Sequence, residues 1–375
     1  MMRSIWMHPW DLEGARPREI VAELLDCGLN TCNLALAYHG GRMMLPHHSR
    51  RRVYEQDQSL VYYAVDRRRY GRGPLQPHVA AEASLVPPFL EACVAAGLAV
   101  NAWIVLCHND RLGVSAPDCC IQNVFGDRYT HALCPANPHV RAYVTALCQD
   151  VAALPEVGRL DLEALSFMGY EHASLHDKRG VPLTRVVTWL LSICFCPSCR
   201  DALGSATGDL ELRTRNAIEL HLHAWAERDE VGLDTALPEL LGLAELAQLL
   251  QTRQQALATL LDEVRAATRP KHLDLRLAAS PLACGGKTAL PWDALAGRVD
   301  SVTVSFFGQT PERMRSELGR LPSRAACCLK KRWRISSHSP EPSCKPSEAG
   351  RSSTDRRRCV PGEWRPLAAW IMLRS

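Results

Sequence analysis

Apolar runs alternate with amphipathic stretches along most of the chain. The run "SIWMHPW" (4–10) predicts a first strand. In 17–30, Ile20, Val21, Leu24 and Leu25 recur at helical spacing, and Gly28 suits the stop. "TCNLALAYHGG" (31–41) reads as a second strand that ends in glycines, and 42–76 as a long, polar, Arg-rich loop. Helix 87–98 opens on prolines and nears its end at a glycine, and "AVNAWIVLCHND" (99–110) is a third strand. Helix 137–154 precedes a fourth strand within 158–172. A fifth strand is expected in 271–282, a sixth in 299–308, and a helix over 310–321.

Strongly apolar strands that alternate with helices predict a parallel sheet covered by helices. Six such units favour a (β/α)8 TIM-type barrel over a doubly wound sheet, and no G-x-G-x-x-G follows the first strand. In such a barrel the chemistry sits where strands end. The polar groups at those points are His8 and Asp11, Tyr38 and His39, His108 and Asn109, then Asp161, Glu163, Tyr170, Glu171 and His172. Trp10, Tyr38, Trp103 and Tyr170 offer apolar platforms to a sugar ring.

Two segments break the rhythm. About a hundred residues separate the fourth and fifth strands, several times an ordinary βα spacing. This insertion, about 173–270, holds a cysteine cluster and two helical stretches. The second segment is 323–375, rich in Ser, Arg and Pro, which arrives where strands seven and eight belong. Two expectations stand for it: a disordered basic tail, or a frame-shifted end that leaves residues 1–322 as a barrel two strands short. This tail has 12 Lys and Arg against 4 Asp and Glu, so the overall charge of +4 hides a body at −4. A mildly acidic body gives no reason to expect nucleic acid as a partner. An apolar share of 47% and a charged share of 22% fit a globular protein. No apolar window of about 18 residues predicts a membrane span. "MMRSIWMHPWDLEG" has no signal-peptide pattern, which favours the cytoplasm, where most of the 16 cysteines stay reduced.

That setting makes the cluster "SICFCPSC" a metal site before a disulfide knot. Cys194, Cys196 and Cys199 place three thiols on a tight turn stiffened by Pro197, enough for three corners of a zinc tetrahedron. For the fourth corner Cys134 is favoured, with Cys119, Cys120 and His172 as alternatives.

Cys134-Pro135, then Asn137-Pro138 with Arg141 and Tyr143, leads into a helix, next a strand bearing a carboxylate, then C-x-C-P-x-C and a second helix. This order, over about 130–205, resembles glycoside hydrolase family 42, the β-galactosidases with a (β/α)8 domain and a four-cysteine zinc site. It is also similar to a wider set of bacterial barrel glycosidases. The resemblance implies structural zinc on Cys134, Cys194, Cys196 and Cys199, a carbohydrate substrate and hydrolysis of sugar bonds. That family carries an Asn-Glu pair at the end of strand four; here Leu162 precedes Glu163. No counterpart of its strand-seven nucleophile stands in this sequence.

Read from the residues alone, Asp161 and Glu163 share one face of a strand, which in a barrel points inward. Glycoside hydrolysis needs two carboxyls, about 5–5.5 Å apart for retention and about 6.5–9.5 Å for inversion. Glu163 is expected to act as general acid, its proton favoured by the apolar neighbours Leu162, Ala164 and Leu165. Its partner is open among Asp161, Asp11, Glu171 and Asp110. Asp161 also has a purely structural reading, as the partner of an arginine on a neighbouring strand. Two other functions compete. One is a metal-dependent hydrolase built on His8, His39, His108 and His172, although strand one lacks an H-x-H. The other is a non-catalytic carbohydrate-binding or incomplete barrel. A homo-oligomer is compatible with all three.

Overall fold

The computed structural model describes residues 2–45, 48, 50–170, 172, 180, 183–223, 232–278, 282–305, 334–336 and 370–372. The expected helix at 310–321, most of 323–375 and Glu171 lie outside the described residues. The strands are β1 (Ser4–Met7), β2 (Thr31–Tyr38), β3 (Gly41–Met44), β4 (Val53–Gln56), β5 (Leu60–Val61), β6 (Ala99–Val105), β7 (Cys120–Gln122), β8 (Arg128–Leu133), β9 (Val157–Glu163), β10 (His272–Arg276), β11 (Ser301–Ser305), β12 (Arg334–Ser336) and β13 (Trp370–Met372). The helices are α1 (Pro17–Asp26), α2 (Val86–Ala96), α3 (Asp110–Ser115), α4 (Pro138–Ala152), α5 (Arg185–Leu191), α6 (Pro197–Leu203), α7 (Thr207–His223), α8 (Leu233–Leu241) and α9 (Leu243–Thr268).

The main sheet runs β12-β11-β10-β9-β6-β2-β1-β13. All of its ladders are parallel except the antiparallel pairing of β13 with β1 and of the short β5 with β2. Its curl is visible in the side chains. β1 and β9 are three places apart, which is about 14 Å in a flat sheet. Yet Trp6 Nε1 donates to Asp161 Oδ2 over 3.1 Å. Of the expected (β/α)8 TIM-type barrel, with its seventh and eighth strands unidentified in the sequence, the described residues form a curled, mainly parallel sheet with helices against it. Among the described residues its outermost strands β12 and β13 share no ladder, and β13 runs against its neighbour.

Alternation along the strands sorts two faces. Ile5, Leu34, Leu36, Ile104, Leu160, Leu162, Leu273 and Leu275 turn outward into the main apolar core beneath the helices. The other face is mostly polar. Asn101 Nδ2 donates to Asn33 Oδ1 at 2.7 Å, and Asn33 Nδ2 to Ser4 Oγ at 3.3 Å. Trp6, Ala35 and Trp103 form a small apolar group among them. Local signals fix the helix ends. Asn137 Oδ1 caps α4 by accepting from the His139 and Val140 amides, and Gly97 takes the left-handed conformation (φ 72°) that ends α2. The insertion packs as a second, helical core around Trp189, Leu237 and Leu241, anchored where Trp189 Nε1 donates to the Leu282 carbonyl at 2.7 Å.

The stretch 42–76 is not a plain loop. It contains the β3–β4 hairpin, in register Gly41↔Gln56 to Met44↔Val53, and β5. Its strand signal is hidden because one hairpin face is exposed and carries Arg42 and Glu55, paired at 3.1 Å, while Tyr54 and Gln56 turn inward. Several predicted strands are also shorter than their apolar runs: 4–10 stops at Met7 and a 3-10 turn covers Pro9–Leu12. Among the described residues no helix is long and apolar enough to cross a membrane.

Candidate functional site

Two strands carry matching sequence, "RLDLE" in β9 and "HLDLR" in β10, paired so that Asp161 lies beside Asp274. Asp161 and Arg276 meet inside the curl. Arg276 Nη1 binds Glu163 Oε2 at 2.6 Å, and Nη2 binds Asp161 Oδ2 at 3.3 Å. Its guanidinium lies over both indoles, 5.1 Å from the Trp6 ring centre and 4.7 Å from that of Trp103. Trp103 Nε1 donates to the same Glu163 oxygen that Arg276 holds. Burial works against the charge of Arg276, but Glu163 and Asp161 outweigh it and hold the guanidinium above its usual range. Asp161 is fully buried, whereas the Glu163 side chain keeps 22% of its surface and reaches the mouth. Arg276 and Trp6 were not singled out in the sequence. The signal was the repeated L-D-L pattern, which puts charged residues on the inner face of both strands.

Aromatic rings line the same end. Trp10 stacks on Tyr54 at 4.5 Å and on His8 at 4.3 Å; His8 meets Tyr38 edge-on at 4.7 Å. Tyr38 stacks on His39 at 4.4 Å, and His39 on His108 at 4.2 Å. His108 Nδ1 and His172 Nε2 are 3.2 Å apart, and His131, also missed, lies near both. Burial first, then the imidazoles of His39, His172 and His131, pushes His108 far down. Burial first, then His131 and His39, lowers His172 to about 4. These rings are therefore neutral near pH 7. Because His39 and His108 stack at 19°, their in-plane nitrogen lone pairs run side by side rather than converging on one point, as a shared ion requires.

Other expected site residues have local duties. Trp10 is fully buried, so its ring is part of the wall, not an open platform. Asp11 Oδ2 accepts from the His8 amide at 2.8 Å. Asn109 is the N-cap of α3, accepting from the Leu112 amide at 2.9 Å, and Asp110 Oδ1 accepts from the Ser59 amide at 3.0 Å. Tyr170 lies 6.1 Å from the Tyr129 ring. Gly286 stands between His172 and Glu163: a β-carbon there would make ordinary contact, 3.8 Å from His172 Cε1 and 4.0 Å from Glu163 Oε1.

A second constellation lies behind β8. Cys134, Cys194, Cys196 and Cys199 are buried, with all four sulfurs within 4.8 Å of one another. From Cys134 the separations are 3.5 Å to Cys199, 3.6 Å to Cys196 and 3.8 Å to Cys194. Four sulfurs about 2.3 Å from a tetrahedral zinc stand about 3.8 Å apart, so the group fits that ion. Hydrogen bonding with Cys134, then Cys194 and Cys199, holds the Cys196 thiol well below its usual range, and hydrogen bonding with Cys194, Cys196 and Cys199 pushes Cys134 up. Pro197, at the first position of α6, sets the turn that presents Cys196 and Cys199 together.

No protein-family model matches this sequence, and a comparison with curated proteins gives no match. Among solved structures, the chain is similar to a glycoside hydrolase domain from Bordetella bronchiseptica, with 13% identity, a TM-score of 0.49, and 87% of this chain and 81% of that one covered. It is also similar to the catalytic domain of a β-amylase from Paenibacillus polymyxa, at 13% identity and a TM-score of 0.47, covering 88% and 84%. Against a β-galactosidase from Marinomonas ef1 the identity is 10% and the TM-score 0.44, covering 81% and 40%. The chain thus spans about two-fifths of the length of that enzyme, and 42% of an α-L-fucosidase from Paenibacillus thiaminolyticus.

Proposed function

We propose that this protein hydrolyses O-glycosidic bonds, with Glu163 as the carboxyl that works at the sugar and a structural zinc on Cys134, Cys194, Cys196 and Cys199. The observation that carries the reading is the placement of Glu163. It is the part-exposed carboxyl of the inner charged network, at the strand ends, beside Gly286 and within a wall of aromatic rings. Ring faces suit the apolar face of a sugar. A carboxylate suits the positive charge that develops at the anomeric carbon. In the overall reaction water supplies its oxygen to that carbon and a proton to the departing oxygen. The zinc, when bound, supplies no chemistry to this step. Its ligands tie α6 and the start of the insertion to Cys134, just beyond β8, which carries His131 to the mouth.

Glu163→Gln keeps shape and removes charge. On a panel of aryl glycosides it should lower turnover about 100-fold or more. A loss below tenfold, or a parent protein that hydrolyses no member of the panel, overturns this reading.

A further inference from the structure

Arg276 is a costly residue to place where it stands. An arginine cannot shed its proton. Here its charge is stripped of water and enclosed by two indoles. Its Nε has no hydrogen-bond partner among the described residues, so Nη1 and Nη2 carry the compensation, to Glu163 and Asp161. The Trp6 indole donates to the same Asp161 oxygen that Arg276 holds, and Asp161 is out of reach of solvent. Glu163 is the member of the trio that faces the mouth. Its Oε2 accepts from two donors, while Oε1 is the oxygen on the side of Gly286. A general acid in this position would have to present a proton beside a buried cation and an indole that both donate to its carboxyl.

We propose that Arg276 is a positioning residue that clamps Asp161 and Glu163 with one guanidinium, so that Glu163 meets the sugar as an anion with Oε1 directed at the ring. This rests on the reading of the mouth as a glycosidase site, and it replaces the proton-donor role expected for Glu163 with an electrostatic one. The proton for the departing oxygen then comes from water, as in the overall balance of the hydrolysis. Arg276 itself, held behind the carboxylates, touches no substrate.

Trp103 reports on the clamp without any turnover, because its indole N–H donates to Glu163. In full-length protein labelled with ¹⁵N-tryptophan, Trp103→Phe assigns the indole resonance. Its movement with pH should vanish in Glu163→Gln. In Arg276→Met the indole resonance should leave its parent position at neutral pH, since the guanidinium that holds Glu163 Oε2 beside the Trp103 N–H has been removed. Arg276→Lys should restore most of the difference. The same resonance position in the parent and the Met variant overturns the proposal. Should the Met variant not fold, the parent still decides: a Trp103 resonance that ignores pH, or that still moves in Glu163→Gln, removes the link and the proposal with it. On aryl glycosides, Glu163→Gln should lower kcat by a similar factor for good and poor leaving groups. Losses confined to poor leaving groups would restore the acid role and refute the clamp. A parent inactive on every sugar removes the hydrolase reading alone, because the resonance test stands apart from it.

Discussion

Replacing Gly113 by alanine sets two effects of opposite sign against each other. Gly113 lies inside α3 with no unusual φ, and in an open helix the change to alanine gains about 1 kcal/mol. Here the β8 backbone crosses the helix at that point. An added β-carbon would lie 1.8 Å from the Thr130 carbonyl oxygen, 2.7 Å from its carbon and 2.9 Å from Cys120 Sγ. Ordinary C···O contact is about 3.3–3.6 Å, so strand and helix must part by about 1.5 Å. Backbone cannot rotate aside as a side-chain tip can. Overpacking of this kind costs about 1–3 kcal/mol, occasionally more, and it outweighs the helix gain. We expect a net loss of about 1 kcal/mol or more, read as a lower midpoint in urea with tryptophan fluorescence. Because His131 follows Thr130, and Cys134 lies just beyond, the ¹H–¹⁵N signals of both should shift as well. Gly208→Ala is the control: it lies in α7 with nothing within 4 Å, and should be neutral or stabilising. A Gly113→Ala protein as stable as the parent would refute the packing argument.

Two further outcomes follow from the cysteine and histidine groups. Purified, reduced protein should carry about one zinc per chain by elemental analysis, and Cys196→Ser should lose metal and stability together; zinc-free parent protein would exclude the metal. The lowered pKa of His172, about 4 against about 6.5 in the unfolded chain, gives a defined sign. As pH falls from about 6.5 toward 4 the unfolded chain takes up a proton that the folded one refuses, so stability is lost across that window and levels off below it. The loss from this residue is up to about 3 kcal/mol, and His172→Asn should flatten the pH dependence of the urea midpoint by that order. An unchanged slope would show that the ring is not held neutral.

How much of this was legible depends on what the sequence pattern encodes. β2, β6, β9 and β10 stand out because their outward residues, such as Leu34, Ile104, Leu160 and Leu273, are uniformly large and apolar. The β7–β8 hairpin does not, since Thr130, His131 and Tyr129 offer no clean alternation. The four thiols that meet are the four that spacing favoured, because turn geometry at Cys194–Cys199 is local and only Cys134 is distant. Arg276 escaped notice for the converse reason. Its meaning depends on Trp6 and Trp103 arriving from strands far away in sequence, and on a curl that no local pattern specifies. Trp10 was misjudged likewise: a ring after a strand reads as an open platform until Tyr54, from the unforeseen hairpin, covers it.

The two faces of the main sheet divide labour. Cohesion comes chiefly from the outer face, where leucine, isoleucine and valine meet the helices, while the inner face holds asparagines, serines, aspartates and arginines that hold one another. Most of the hydrophobic free energy of folding is therefore invested on the outer side, beneath the helices. An inner pair can be exchanged for another matched pair, charge for charge or amide for amide, with little effect on that investment, whereas a single unmatched exchange strands a partner in the dry interior. Diversification of such a protein toward new ligands should proceed by coupled replacements across neighbouring strands, leaving the outer leucines as the record of common descent.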